Sequence, residues 1–220
     1  MIELLFPFFL IFLLFLVLAI IWRKNARKYI SSGTVASAYD AWTQDKLLER
    51  LWGEHIHLGF YPSGKKNIDF RKAKVQFVHE LVKWSGLDKL PKGSRVLDVG
   101  CGIGGSSRIL SNYYGFNVTG ITISPAQVKR ARELTPSRLN CNFQVMDALD
   151  LKFEDGSFDA VWSVEAGAHM NDKSKFADEM LRTLRPGGYL ALADWNSRDL
   201  KAYPPSFFEK LVLKQLLEQW

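Results

Sequence analysis

Hydrophobic and polar positions fall into three regimes along this chain. Residues 4–22, LLFPFFLIFLLFLVLAIIW, are apolar throughout and carry no charge. Between residues 39 and 84 the apolar positions recur every three or four residues, the period of a helix buried along one face. From residue 95 onward, short apolar runs alternate with helical stretches, the signature of a doubly wound parallel sheet.

The first regime predicts a membrane anchor. Its nineteen residues would rise about 28 Å as a helix, close to the hydrocarbon thickness of a bilayer. A cleaved signal peptide and a buried core helix are the other readings of such a run. A signal peptide needs a basic start, a shorter apolar stretch and a small-residue cleavage site. Here Glu3 is the one charged side chain before the run, which ends in Ile-Ile-Trp-Arg-Lys. Pro7 falls in the first turns, where a missing backbone donor costs least. The cations Arg23, Lys24, Arg27 and Lys28 follow, so the positive-inside rule predicts a single-pass protein with its folded part on the cytoplasmic face. Trp22 and Tyr29 suit the interface.

In the second regime, residues 31–37 read as a polar linker, 39–52 as a helix, 52–64 as a loop rich in Gly, His and aromatics, and 69–84 as a second helix. In the third, strands are expected at 95–99, 117–123, 142–146, 158–164 and 189–194. Helices are expected at 106–114, from Ser124 onward and from about Asp172 to before Pro186. Ser124 as N-cap followed by Pro125 is a strong helix start. A last amphipathic helix covers about 206–220. The fold expected is therefore α/β, a Rossmann-like sheet preceded by helices and one transmembrane helix.

Composition narrows the function classes. The net charge of +6 would suit nucleic acid or an anionic membrane. The basic residues are scattered apart from the cluster at 23–28, which fits a membrane flank better than a nucleic-acid groove, so no nucleic-acid partner is expected. Two cysteines, Cys101 and Cys141, are too few for a disulfide framework and fit a reducing compartment.

The chemistry is concentrated in DVGCGIGGSS, residues 98–107. Gly100, Gly102 and Gly105 also satisfy the spacing of a dinucleotide fingerprint, so the glycines alone decide nothing. Asp98 separates the readings. A dinucleotide brings an anionic pyrophosphate to this turn. A carboxylate about 4 Å from it would cost on the order of 4 kcal/mol at an effective dielectric of 20. S-adenosylmethionine brings an ammonium and a sulfonium, and no phosphate. An acid at the strand end suits that ligand, and glycines let the backbone approach it.

The segments VLDVGCGIGG, FDAVWSVEAGAHM and LRPGGYLALADW, with YDAWTQDKLLERLWGEHIHLGFY before them, resemble the three cofactor motifs of the tocopherol-type methyltransferases. The resemblance runs from about residue 35 to the end. It implies a class I fold, S-adenosylmethionine as cofactor, and C-methylation of a lipid-soluble prenyl hydroquinone on the way to tocopherols and plastoquinone in a photosynthetic prokaryote. γ-Tocopherol and sterol methyltransferases share much of the pattern. The motifs place Asp98, Gly100, Cys101 and Gly102 at the methionine end of the cofactor and Asp147 with Ala148 at the adenine. The end of strand two lacks the usual ribose-binding acid, leaving Thr122 and Ser124 as neutral substitutes, although Ser124 also has the capping role. The regions implied are an anchor (1–22), a basic flank and linker (23–37), a helical cap (38–90), a cofactor-binding core (91–196) and the start of a lid (197–220).

Methylation of a hydroquinone ring carbon needs removal of a phenol proton, hence a general base. Glu165 and His169, after strand four, are expected to flank the methyl donor. His169 is the better base because its ordinary pKa lies nearest neutrality. The other reading of both is that they only hydrogen-bond their loop. His55, a further catalytic candidate, and His57 are expected to form a lid over the cofactor with Trp52 and Tyr61. They lack the additional ligands zinc would need. His79, mid-helix, reads as structural. An anchor suits a bilayer-resident acceptor, because extracting a prenyl tail costs about 0.8 kcal/mol per methylene. Only 26 residues follow the fifth strand, so the sheet is expected to be C-terminally incomplete, leaving that strand as an open edge. A non-catalytic, cofactor-binding membrane protein is the second reading, and a nicotinamide oxidoreductase the third.

Overall fold

A computed structural model describes residues 12–17, 32–63, 67–196, 202–204 and 206–210. The chain divides into two compact units, Ser31–Arg198 and a second made of Met1–Ile30 with Asp199–Trp220.

In the first unit, five parallel strands form one sheet. They are β1 (Arg95–Val99), β2 (Asn117–Thr122), β3 (Cys141–Val145), β4 (Phe158–Val164) and β5 (Leu184–Ala193), in the order β3-β2-β1-β4-β5. Strands buried on both faces read as near-continuous apolar runs, which is why VLDV and FDAVWSV were legible. Val96, Val118, Ala160 and Trp162 point to one face, where Val78, Val82, Ile109 and Leu110 of helices α3 (Phe70–Ser85) and α4 (Gly105–Tyr114) cover them. Leu97, Val99, Ile121 and Val161 point to the other, under Phe176 and Met180 of α6 (Lys173–Thr183). Helix α5 (Pro125–Leu134) packs Val128 and Ala131 on Phe143.

Helix starts follow the local chemistry. The side chain of Ser124 accepts from the Gln127 amide, and Asp172 and Asp69 cap α6 and α3 in the same way. Chain order reverses between β1 and β4, so the loops leaving these two strands open side by side at the sheet's carboxyl edge.

Several expectations need correction. Of the linker expected at 31–37, residues 32–37 are helical, within α1 (Ser32–Gln44). The helix gains a tertiary partner, since Asp40 Oδ1 accepts from Ser124 Oγ (2.5 Å) and from the Ala126 amide (3.1 Å) at the start of α5. Such packing overrides weak local propensity. The helix expected at 39–52 breaks at Lys46, whose φ of 54° is left-handed, and resumes as α2 (Leu47–Trp52). The new direction lets Glu49 take a bidentate contact from Arg130, at 2.7 and 2.9 Å. β5 starts earlier than expected because Arg185–Gly188 bulges out between the paired residues Leu184 and Tyr189. Pro186 is tolerated there because β5 lies at a sheet edge.

The single-pass membrane location is overturned. Among the described residues no helix is long and apolar enough to cross a membrane. Of the apolar run, residues 12–17 are described and helical. The rest of the run lies outside the described residues, and the cytoplasmic-face assignment falls with the span. Of the helix expected at 206–220, residues 207–210 are described and helical. They begin in a capping box, with the Glu209 amide donating to Ser206 Oγ and the Ser206 amide to Glu209 Oε2.

Trp162 is fully buried and its indole N–H has no hydrogen-bond partner among the described residues. Trp162→Phe removes that unpaired donor while retaining most of the ring, so it is expected to cost less than about 1.5 kcal/mol in urea unfolding. Trp162→Ala leaves a cavity and is expected to cost about 3–5 kcal/mol.

Candidate functional site

The carboxyl edge of the sheet gathers the loops after β1, β2 and β4, and the loop 53–63 lies against them. The turn after β1 is built on backbone that side chains obstruct. Gly100 has φ 78°, and an added Cβ would collide with Cβ of Ala166 in the β4 loop. Gly102, φ 54°, faces open space, with nothing within 4 Å of where its Cβ would be. The turn is thus closed beneath and open above.

Asp98 ends up 2 % exposed under this turn. Its hydrogen-bond partner is Ser107 Oγ, which donates to Oδ2 at 2.5 Å. Burial pushes the carboxyl up to about 7, against the smaller opposing effect of that hydroxyl. No cation of the described chain compensates the buried acid. Cys101 turns its side chain into the cluster of Val128, Ala131 and Phe143, so only its backbone remains for a ligand.

At the next position along, the start of α4 is covered. A Cβ on Gly105 would fall 2.5 Å from the Glu54 carbonyl oxygen and 2.9 Å from the His55 ring. In a dinucleotide site the pyrophosphate occupies this helix N-terminus. Here a carbonyl oxygen and an imidazole stand in that place. An uncompensated acid, an open glycine and a blocked anion position fit a cationic nucleoside without phosphates.

The loop 53–63 is fastened from three elements. Arg108 on α4 donates to Glu54 Oε2 (2.6 Å) and to the Ile103 carbonyl (2.8 Å). Lys74 on α3, 3 % exposed, donates to the carbonyls of Trp52 and His55 at 3.0 and 2.8 Å. It also lies over the Trp52 and Phe70 rings, and burial pushes its pKa down to about 8. Glu165 Oε1 accepts from the Leu58 amide at 2.9 Å. Glu165 holds a left-handed φ of 52°, a conformation costly outside glycine and typical of functional loops.

His169 closes a 3-10 turn, Gly167–His169, and its Nε2 lies 2.8 Å from the Tyr39 hydroxyl of α1. Burial, then Glu165, raise Tyr39 to about 12. Burial lowers His169 below its ordinary value, with Asp194 opposing and Lys173 assisting. Lys173 Nζ also donates to the Gly167 carbonyl. Tyr39 further lines a narrow cavity with Trp42, Gly53, Ile56 and Ile103 of the glycine turn.

The remaining expected residues are distributed unevenly. Thr122 donates to Gln127 Oε1 at 2.7 Å, and Ser124 Oγ is committed to Asp40 and the cap. Asp147 Oδ1 accepts from the Leu149 amide in a local turn, and Ala148 is buried in the apolar core. His79 hydrogen-bonds Tyr114 on the far side of α3, as a structural residue would. Sequence reasoning missed Tyr39, Asp40, Gln127, Lys74 and Arg108. The YD pair of 39–40 stood in a quoted motif, but its partners lie 84 to 130 residues away.

Comparison with known proteins agrees with this geometry. A family described as "Methyltransferase domain" matches residues 97–192. Over 217 residues the chain is 58 % identical to 2-methyl-6-phytyl-1,4-hydroquinone methyltransferase of Synechocystis, covering 99 % of this chain and 68 % of that protein. It is 43 % identical to the chloroplastic tocopherol O-methyltransferase of Arabidopsis thaliana over 71 % of this chain and 48 % of the relative. The chain thus spans about two thirds of one relative's length and about half of the other's. Among solved structures, the cyclase SpnF superposes with a TM-score of 0.65 at 29 % identity, over 76 % of this chain and 61 % of that one. The sheet order, the glycine turn over a buried acid and the extent of identity together place this chain in the class I S-adenosylmethionine-dependent methyltransferase family.

Proposed function

We propose that the chain carries the cofactor-binding part of a C-methyltransferase whose acceptor is a prenyl hydroquinone of the 2-methyl-6-phytyl or solanesyl type. The observation that carries the cofactor side is Asp98, a buried acid with one hydroxyl partner and no counter-cation. The acceptor side rests on the 58 % identity with a relative named for 2-methyl-6-phytyl-1,4-hydroquinone. The regions proposed are a helical cap at 38–90 and a cofactor core at 91–196.

Asp98, with the backbone of Gly100, Cys101 and Gly102, holds the amino-acid end of S-adenosylmethionine. Thr122 and Gln127, already paired, meet the ribose in place of an acid. Ser124 and Asp40 hold the helix start behind them. Asp147 and the Ala148 backbone receive the adenine. When bound, the cofactor supplies a methyl group on a sulfonium. The chain's part is to hold the acceptor in line and take a proton from its hydroxyl, so that the ring carbon becomes nucleophilic. Tyr39, which keeps its proton to high pH, donates to Nε2 of His169. The acceptor's proton moves to the Tyr39 oxygen as the hydroxyl passes its own proton to Nε2 of His169. Glu165 is occupied with the Leu58 amide and acts as a fastening for the loop rather than as the base.

The test is transfer of a labelled methyl group by the full chain to 2-methyl-6-phytylhydroquinone. Cofactor binding without transfer would leave the non-catalytic reading, and retention of a nicotinamide dinucleotide instead would overturn the cofactor assignment. His169→Ala is expected to lower kcat by roughly 10²–10⁴-fold with little change in cofactor affinity. Because burial holds His169 below 6.5, the acid limb of kcat/KM is expected below that pH, activity being lost as the ring protonates. Unchanged turnover in this variant and in Tyr39→Phe would remove the base assignment.

Asp98 gives a second prediction, with opposite signs for stability and binding. Its pKa rises from 3.8 to about 7 on folding, so the fold loses stability as pH rises across that interval and bears the whole cost above it. Asp98→Asn is therefore expected to melt higher than the parent at pH 8, and much less so at pH 4. S-adenosylmethionine should raise the parent's melting temperature more than the variant's. Equal ligand shifts would exclude Asp98 from the cofactor site.

A further inference from the structure

The loop 53–63 holds two imidazoles whose proton positions follow from their partners. Nδ1 of His57 lies 2.7 Å from the Leu58 carbonyl. A carbonyl only accepts, so this nitrogen carries a hydrogen. His57 is 8 % exposed and burial lowers its pKa, which leaves the ring neutral and its Nε2 a bare lone pair. That lone pair lies 3.1 Å from Nδ1 of His55. It needs a donor, so Nδ1 of His55 is protonated in its turn. His55 is also neutral, pushed down to about 3 by burial first and then by His57, Arg108 and Lys74. Its Nε2 is consequently an acceptor with no hydrogen, and no described side chain donates to it.

The ring is placed through its Cε1 and Nδ1, which lie nearest Gly105. The ring packs on Gly105, the residue that follows the glycine turn, where any side chain would strike it. Arg108 is paired with Glu54, and Lys74 with two carbonyls and the field of Glu165. Both cations are offset in part by acids, and burial rather than their charge is the first cause of the neutral His55 ring.

We propose that Nε2 of His55 is a preset hydrogen-bond acceptor for the α-ammonium group of the methyl donor, with His57 as the positioning residue that selects the tautomer. The inference rests on the proposed cofactor reading. The choice of group follows from chemistry. A carboxylate would face a lone pair with another lone pair, whereas an ammonium brings hydrogens to an acceptor whose ring packs on the start of α4, the helix whose Ser107 holds Asp98. Ribose and adenine are assigned to the β2 and β3 ends through Thr122, Gln127 and Asp147.

The test uses the full chain labelled with ¹⁵N-histidine. Long-range proton–nitrogen spectra at pH 7 are expected to show His55 and His57 as Nδ1–H tautomers, and His55 unprotonated down to pH 5. S-adenosylhomocysteine, which retains the ammonium, should shift His55 Nε2 in the hydrogen-bonded direction. 5′-Methylthioadenosine, which lacks the amino-acid part, should leave it in place. By calorimetry, His55→Phe is expected to weaken S-adenosylhomocysteine about tenfold and to leave 5′-methylthioadenosine unchanged. His57→Phe should turn the His55 signal into a mixture of tautomers. An Nε2–H tautomer at His55, equal losses for both nucleosides, or a shift seen only when 1,4-hydroquinone is added would overturn the proposal and leave the cofactor reading intact. Failure of the parent chain to bind either nucleoside would remove the cofactor reading itself.

Discussion

A carboxylate buried without a counter-charge is the constraint around which this unit is arranged. Asp98 lies at the end of a central strand, with one serine hydroxyl for company. Interiors tolerate such a group only when something else compensates it or when its proton stays on. The surroundings do not supply the compensation. Arg108, one residue on from the Ser107 that holds the acid, spends its guanidinium on Glu54, Ile103 and Thr135. The open glycine above the acid leaves a route for a cation from outside the chain, and the covered start of α4 leaves none for a phosphate.

The central part of the fold was legible because its signals are local. β1 and β4 are continuous apolar runs, Ser124-Pro125 opens a helix in the most favoured way, and the glycines of 100–105 announce a backbone-only turn. The cap region was less legible. A polar stretch such as 31–37 has no intrinsic reason to coil into a helix. It does so because Asp40 finds the Ser124 hydroxyl and the Ala126 amide at the start of α5, contacts between residues 84 and 86 apart. Lys46 breaks a periodic pattern that otherwise runs through it, and the break serves an ion pair with Arg130 that no local window contains.

The site shows the same division. His169, Glu165 and His55 were identifiable as chemistry in loops, and the structure brings their loops to one edge. Their roles depend on partners the sequence hides. Glu165 is engaged by a backbone amide, His169 by a tyrosine from the first helix of this unit, and Thr122 by a glutamine five residues on. The membrane span, argued from the apolar run and its basic flank, is where pattern outran structure, since among the described residues no helix is long and apolar enough to cross a bilayer.

Tyr39 and Asp40 are consecutive, yet one reaches the loop after β4 and the other the helix after β2. A single rotation or displacement of α1 would sever both attachments together. The imidazole would lose its phenol at the same moment that the neighbouring helix lost its borrowed carboxylate. The loop after β4 and the start of α5 are therefore mechanically yoked through two adjacent residues of α1.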